Sequence, residues 1–251
     1  MRWLSVVPAI TGLVFAPSVL SAAPVTLQNY QQCADLAKTD AQATYNQALA
    51  WHSAGGGAAA QHCEALALSQ MRRYDEAALL LDTLAQDKSL SNADRAQLFD
   101  QAGNTWLLAE NALKADASFS NALVLSPGDV EILAYRARVR AMRKDWADAD
   151  ADLSAALLRD GDRADLLVLR ASARHAAGRK AEARLDIEHA LSIFPNYGDA
   201  MVERGAMKYE DGDATGAQAD WQKVVNAAPN SRAAALANEY LTETEAPPAK
   251  N

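Results

Sequence analysis

Small residues recur in this chain at a fixed interval, and that interval limits what the chain can fold into. Pro195 and Pro229 lie 34 residues apart, Pro127 lies 68 before Pro195, and Gly161 takes the place midway. Twelve residues before each of these four stands an alanine: Ala115, Ala149, Ala183 and Ala217. Ala77 belongs to the same series, with four extra residues before the next unit. Twelve residues before these alanines comes another small residue: Ala65, Gly103, Ala137, Ala171 and Gly205. Four residues after the alanines comes a bulky apolar one: Leu81, Phe119, Leu153, Ile187 and Trp221. Three further along stand Leu84, Ala122, Ala156, Ala190 and Val224. Self-similarity of this kind marks an array of one supersecondary unit.

Two antiparallel helices pack closely only where small residues meet at the approach of their axes. The earlier small residue therefore belongs to a helix A and the later alanine to a helix B. The bulky residue one turn on fills the gap to the next helix by the i, i+4 rule. Proline ends helix B, because the residue before it avoids the right-handed helical region. Turn signals such as Ala177-Gly178 and Asp211-Gly212-Asp213 separate A from B. Composition agrees. Half the residues are apolar but only 6% are aromatic, and much of the apolar share is alanine, which favours close-packed helices over sheets.

A helix–turn–helix unit of this length and pattern resembles the tetratricopeptide repeat. Five units begin near Ala58, Ala96, Val130, Ala164 and Gly198, and the resemblance covers about 58–231. Repeat 2 carries it best, with Phe99, Gly103, Trp106, Ala115, Phe119, Ala122 and Pro127 in family positions. Two positions depart. The aromatic that the family has three residues after the first small residue is Leu68 and Trp106, then Arg140, Arg174 and Lys208. The large residue opening helix B is Tyr74 and Trp146, but Ala112, Lys180 and Ala214 in the other units. The resemblance implies an all-α, right-handed superhelical solenoid, non-enzymatic, whose A helices line a concave face that binds proteins.

The ends read differently. Met1–Ala23 has one charge, Arg2, then a mostly apolar stretch, then Ser21-Ala22-Ala23, the pattern of a cleaved export signal. No second apolar run follows, so no membrane span is expected in the mature chain, and the expected location is the periplasm or beyond. Residues 24–57 are expected to form capping helices, broken from the array by Gly55-Gly56-Gly57. Residues 232–241 should form a C-terminal capping helix, and 242–251, with Ala246-Pro247-Pro248, a disordered tail. Cys33 and Cys63 are the only cysteines, and an even count in an exported chain points to a disulfide.

Charge narrows the function. The formal charge is −8 with no basic patch, which argues against nucleic acid as partner. Two cysteines and the scattered His52, His62, His175 and His189 offer no metal-ligand spacing. Gly55–Gly57 lacks the lysine and hydroxyl of a phosphate loop. His62 beside Cys63 is no nucleophile pair, since adjacent helix residues point apart. No catalytic residue, metal or cofactor is expected. The aspartates of Asp145–Asp152 read as a solvated face of helix B, without a calcium loop's glycine turn. A second series is structural: Arg136, Arg170 and Arg204 precede the small residue of helix A, and Asp152, Asp186 and Asp220 follow sixteen residues later. Repeats 1 and 2 lack both members, so the two positions change together within the chain, as partners in an ion pair would.

Function then lies in shape. The concave positions implied by the resemblance are Asp100, Asn104 and Leu108 in repeat 2. They are Tyr135, Arg138 and Met142 in repeat 3, and Leu169, Ser172 and His175 in repeat 4. Amide, guanidinium, aromatic and apolar groups together suit an extended peptide or a protein segment. The family's lysine and asparagine clamp for a C-terminal carboxylate is matched only at Asn104. The reading is an envelope scaffold or adaptor, the alternative a subunit docking into a complex through its ends or edges.

Overall fold

The computed structural model describes residues 29–245. The expected leader and the last six residues, 246–251, lie outside them. Two helices, α1 (Tyr30–Ala37) and α2 (Ala41–Trp51), precede the array. A short π-helical stretch, His52–Gly56, then turns the chain, with Gly55 and Gly57 at positive φ, 92° and 55°. The A helices are α3 (Gly57–Gln70), α5 (Asn92–Leu108), α7 (Val130–Met142), α9 (Ala164–Ala176) and α11 (Gly198–Glu210). The B helices are α4 (Tyr74–Leu84), α6 (Ala112–Leu125), α8 (Trp146–Arg159), α10 (Lys180–Ile193) and α12 (Ala214–Ala227). Helix α13 runs from Arg232 to Glu245. It continues past Leu241 into residues expected to be tail. There Thr242 donates to the Asn238 carbonyl and Thr244 to that of Leu241, so the polar side chains are satisfied on the helix itself.

Each A–B turn closes the same way. The residue at Arg72, Glu110, Lys144, Gly178 and Gly212 takes positive φ, and the next amide donates five residues back, as Asp145 N–H does to Arg140 O at 2.8 Å. That is a left-handed helix stop, which glycine meets without a side-chain clash. The four extra residues before repeat 2 become one extra turn at the start of α5, capped by Ser91, whose side chain accepts from Asp94 N–H.

The small-residue series sets helix spacing by size matching. Gly103 faces Phe119 and Gly205 faces Trp221, where a Cβ would collide with the ring. Repeats with alanine at this place, Ala65, Ala137 and Ala171, carry the slimmer Leu81, Leu153 and Ile187. All five bulky residues are buried. One core runs through repeats 1 and 2, a second through repeats 3 and 4, and a third joins Met201 and Trp221 to Ala234 and Ala237 of α13.

The arginine–aspartate series forms a ladder inside the array. Arg136 meets Asp152 with Nε and Nη2 at 2.9 and 2.6 Å. Arg170 meets Asp186 at 3.0 and 2.6 Å, and Arg204 meets Asp220 at 2.8 and 2.6 Å. Each aspartate is buried and takes a second cation one turn along helix A: Arg140, Arg174 and Lys208, at 2.8, 2.9 and 2.8 Å. The positions that depart from the tetratricopeptide aromatic are thus the second arm of the ladder. Burial pushes the Asp220 carboxyl up, but the hydrogen bonds from Arg204 and Lys208 outweigh it and hold it below the usual range. Repeat 2 solves the same place otherwise: Trp106 Nε1 donates to Asp82 at 2.7 Å, as does the Ser118 hydroxyl.

The aspartate run of α8 needs correction. Asp148 is exposed as expected, but Asp152 is buried, and Asp150 accepts from Arg174 at 2.6 Å and pairs with Arg179 at 2.7 Å. Charges that look solvated in a single helix become cross-repeat contacts once the next unit stacks on it.

Candidate functional site

The disulfide positions the N-terminal helices. Cys33 of α1 and Cys63 of α3 are bonded, both fully buried, with Ala48, Leu36 and Trp51 packed around them. Closing a loop of this size contributes about 3–4 kcal/mol in the chain-entropy model. It brings Tyr30 onto the A-helix face, where its ring stacks on His62 at 4.8 Å. His62 in turn shares a hydrogen with Gln101 Oε1 at 2.5 Å, and burial holds its pKa below the ordinary value against that bond. Tyr30 of α1 therefore covers His62 on the A-helix face of repeat 1.

This cover decides what Asn104 can do. Its Nδ2 donates to the backbone carbonyl and the carboxylate of Asp100, at 3.0 and 3.2 Å. Burial, then Asp129, raises the Asp100 pKa to about 6 against the pull of Asn104. Asn104 lines a cavity of about 330 Å³ with Tyr30 and His62, away from Arg138. The amide lines this cavity and the guanidinium a different one, and the acid beside Asn104 would repel a carboxylate. Leu108 and Met142 stand exposed at the ends of their helices. Tyr135 stacks on Phe119 at 5.8 Å, with the Arg138 guanidinium 5.6 Å from its ring centre.

Further along, the structure brings some of the expected residues together. Arg138, Leu169 and Ser172 line a cavity of about 610 Å³ between α9, α11 and α13. Its floor is apolar, with Val168, Met201, Val202 and Leu236, and its rim carries Asp199, Lys223 and Arg232. Burial and then Asp199 push the Tyr197 hydroxyl at its edge up to about 12. Ser172 also lines a second cavity of about 750 Å³ with His175, Tyr209 and Tyr240. Glu203 belongs to both cavities and accepts from the Ser172 hydroxyl at 2.8 Å. Burial raises its pKa, against the hydrogen bond from Ser172. The two cavities share Ser172 and Glu203 as lining, and together they make a cleft along the A helices of repeats 4 and 5, with residues of α13 lining both parts.

Sequence reasoning stopped one repeat short of this cleft. Adding 34 to Leu169, Ser172 and His175 gives Glu203, Ala206 and Tyr209, all of which line it. The contributions of α13 carry no such signal, because α13 lies outside the period. Among the described residues no group of three or more metal-ligating side chains comes together, and no helix is long and apolar enough to cross a membrane.

No family model and no curated protein matches the chain. Solved structures do. A MamA fragment, residues 41 to the end, from Desulfovibrio magneticus RS-1 superposes with a TM-score of 0.60 at 16% identity, over 70% of this chain and 97% of that one. A second MamA structure gives 0.57 at 15% identity, over 71% and 96%. YrrB, described as a TPR protein with an unusual peptide-binding site, gives 0.55 at 17% identity, over 84% and 97%. At these identities the likeness is one of fold. Taken with the helix pairs and their period, it shows that this chain folds as a tetratricopeptide-repeat solenoid.

Proposed function

We propose that the protein is a non-enzymatic scaffold or adaptor of the bacterial envelope that takes a peptide or protein segment in its inner groove. The observation that carries this reading is the cleft along repeats 4 and 5, with an apolar floor and a charged rim, a common make-up for a binding site. YrrB, similar in fold, is described as binding peptide. The buried Cys33–Cys63 bond supports an oxidising compartment, in line with the leader read at 1–23.

A second reading has its own support. Leu113, Val124, Leu158 and Leu185 on the B helices are 65–85% exposed, and Val124 and Leu158 occupy the same repeat position. A subunit docking through this outer face would use them. Immobilised protein is to be offered envelope extract in three forms. The Arg138→Ala, Leu169→Ala double variant should lose the captured proteins. The Leu113→Ser, Leu158→Ser, Leu185→Ser variant should keep them. The opposite pattern would replace the groove reading with the docking one.

A further inference from the structure

The second cavity, lined by the C-terminal part of α13, has a chemistry of its own. Tyr240 stacks on the buried indole of Trp221 with ring centres 5.1 Å apart, and Tyr209 tilts against the same indole at 6.1 Å. Trp221 spends its N–H on the Val202 carbonyl, so what it and the tyrosines offer the cavity is mainly ring surface. Around these rings stand Glu203, Glu210 and Glu243, with the Lys180 ammonium and the His175 ring beside them. Glu210 takes up both, pairing with Lys180 and meeting His175 Nε2 at 3.0 Å. Glu203 accepts only the neutral Ser172 hydroxyl, and Glu243 makes no ion pair among the described residues. After burial, the Tyr240 hydroxyl is pushed up by four glutamates, Glu203, Glu243, Glu239 and Glu210. The field in this half of the cleft is negative.

Resting on the reading of the cleft as a binding groove, we infer that the part lined by Tyr209, Tyr240 and Glu243 is a seat for a cationic side chain, a lysine or arginine of the bound segment. The cation lies against the tyrosine faces, where ring quadrupoles attract it, and meets the carboxylates of Glu203 and Glu243, neither of which makes an ion pair among the described residues. The apolar floor beside it, Leu169, Met201 and Leu236, takes a neighbouring apolar residue. This is the reverse of a carboxylate receptor: the ligand brings the positive charge. The partner is therefore a segment in which a basic residue lies close to an apolar one.

The test is selection from a random linear peptide library on the intact, disulfide-bonded protein, followed by calorimetric titration of the enriched peptides. They should carry lysine or arginine beside an apolar residue, and replacing the basic residue by glutamine should weaken binding about tenfold. A Glu203→Gln, Glu243→Gln protein should bind the original peptide as weakly as the wild type binds the glutamine peptide, and should bind the glutamine peptide unchanged. Glu243→Lys, at an exposed position, gives a second reading should the double variant melt early, and should weaken the original peptide further. Enriched peptides without a basic residue, or with binding indifferent to Glu203 and Glu243 but lost with Leu169→Ala, would overturn the cationic seat and leave the groove. Peptides that bind every variant alike, or no enrichment at all, would overturn both.

Discussion

Repeats 3 and 4 are joined differently from repeats 4 and 5. At the first junction the guanidinium groups that hold the buried aspartates also reach back across it: Arg170 Nη1 donates to the Ser154 hydroxyl at 3.2 Å and Arg174 Nε to Asp150 at 2.6 Å. Both members of the Arg174–Asp150 pair are only 15% exposed. At the second junction the same places hold Glu188, Arg184 and Lys208. There Arg204 donates only to Asp220 among the described residues. The charged links that remain, Lys180 to Glu210 and Arg184 to Asp211, have side chains 43–47% exposed. The cores divide likewise. Of α11, Ala200 and Met207 join the core of repeats 3 and 4, while Met201 and Val202 pack with α12 and α13. A regular period thus does not mean uniform coupling. Buried charge pairs resist screening, exposed ones do not, and the cleft opens at the junction held by the exposed kind.

The largest effect expected concerns the ladder. Asp186→Ala strips Arg170 and Arg174 of their shared acceptor in a buried place and should cost about 3–5 kcal/mol in urea unfolding. Asp211→Ala, at the exposed link, should cost less than about 1 kcal/mol. Equal losses would erase the distinction between the junctions. In the pair Arg170→Ala and Asp186→Ala the double variant should cost less than the sum of the singles, because each single leaves a buried charge behind.

A pH experiment separates the covered first part of the inner face from the rest. Asp100 has its pKa raised to about 6 in the fold from an ordinary 3.8. A raised carboxyl stabilises the fold most when protonated, below about pH 4, and the contribution is lost as pH rises through about 6. Asp100→Asn should therefore melt higher than wild type at pH 8, with the gap closing toward pH 4. A gap that does not change with pH would mean that Asp100 ionises as freely in the fold as out of it.

Smaller effects sharpen the comparison. Glu188→Ser supplies the hydroxyl that Ser120 and Ser154 offer to Arg136 and Arg170. It should add about 0.5–1 kcal/mol at the second junction. The turns differ too: repeats 4 and 5 close with Gly178 and Gly212, repeat 3 with Lys144 at φ 66°. Lys144→Gly should gain about 0.5–1 kcal/mol, measured as a shift in the urea midpoint.

Much of this was legible in the sequence, and the limits have physical causes. Pairs such as Gly103 with Phe119 announce helix contacts because packing within a repeat depends on two residues at a fixed separation. Arg136 and Asp152 announce each other for the same reason. Arg140 and Arg174 look like losses of an aromatic core residue, since whether a guanidinium sits inside depends on acceptors from two other helices. Asp150 looks solvated until Arg174 and Arg179 stack on it. Asn104 looks free to bind, yet turns to Asp100, a local choice of rotamer that spacing does not encode. Tyr30 and Tyr240 reach the inner face from helices outside the period, so no repeat arithmetic finds them.

The claim that exposed charges hold repeat 5 in place is tested most directly by amide hydrogen exchange followed by mass spectrometry at low and high salt. The account predicts that α11 and α12 exchange faster as salt rises, while α8 and α9, tied by buried guanidinium groups, keep the same rates. Equal salt dependence in the two pairs of helices would contradict it.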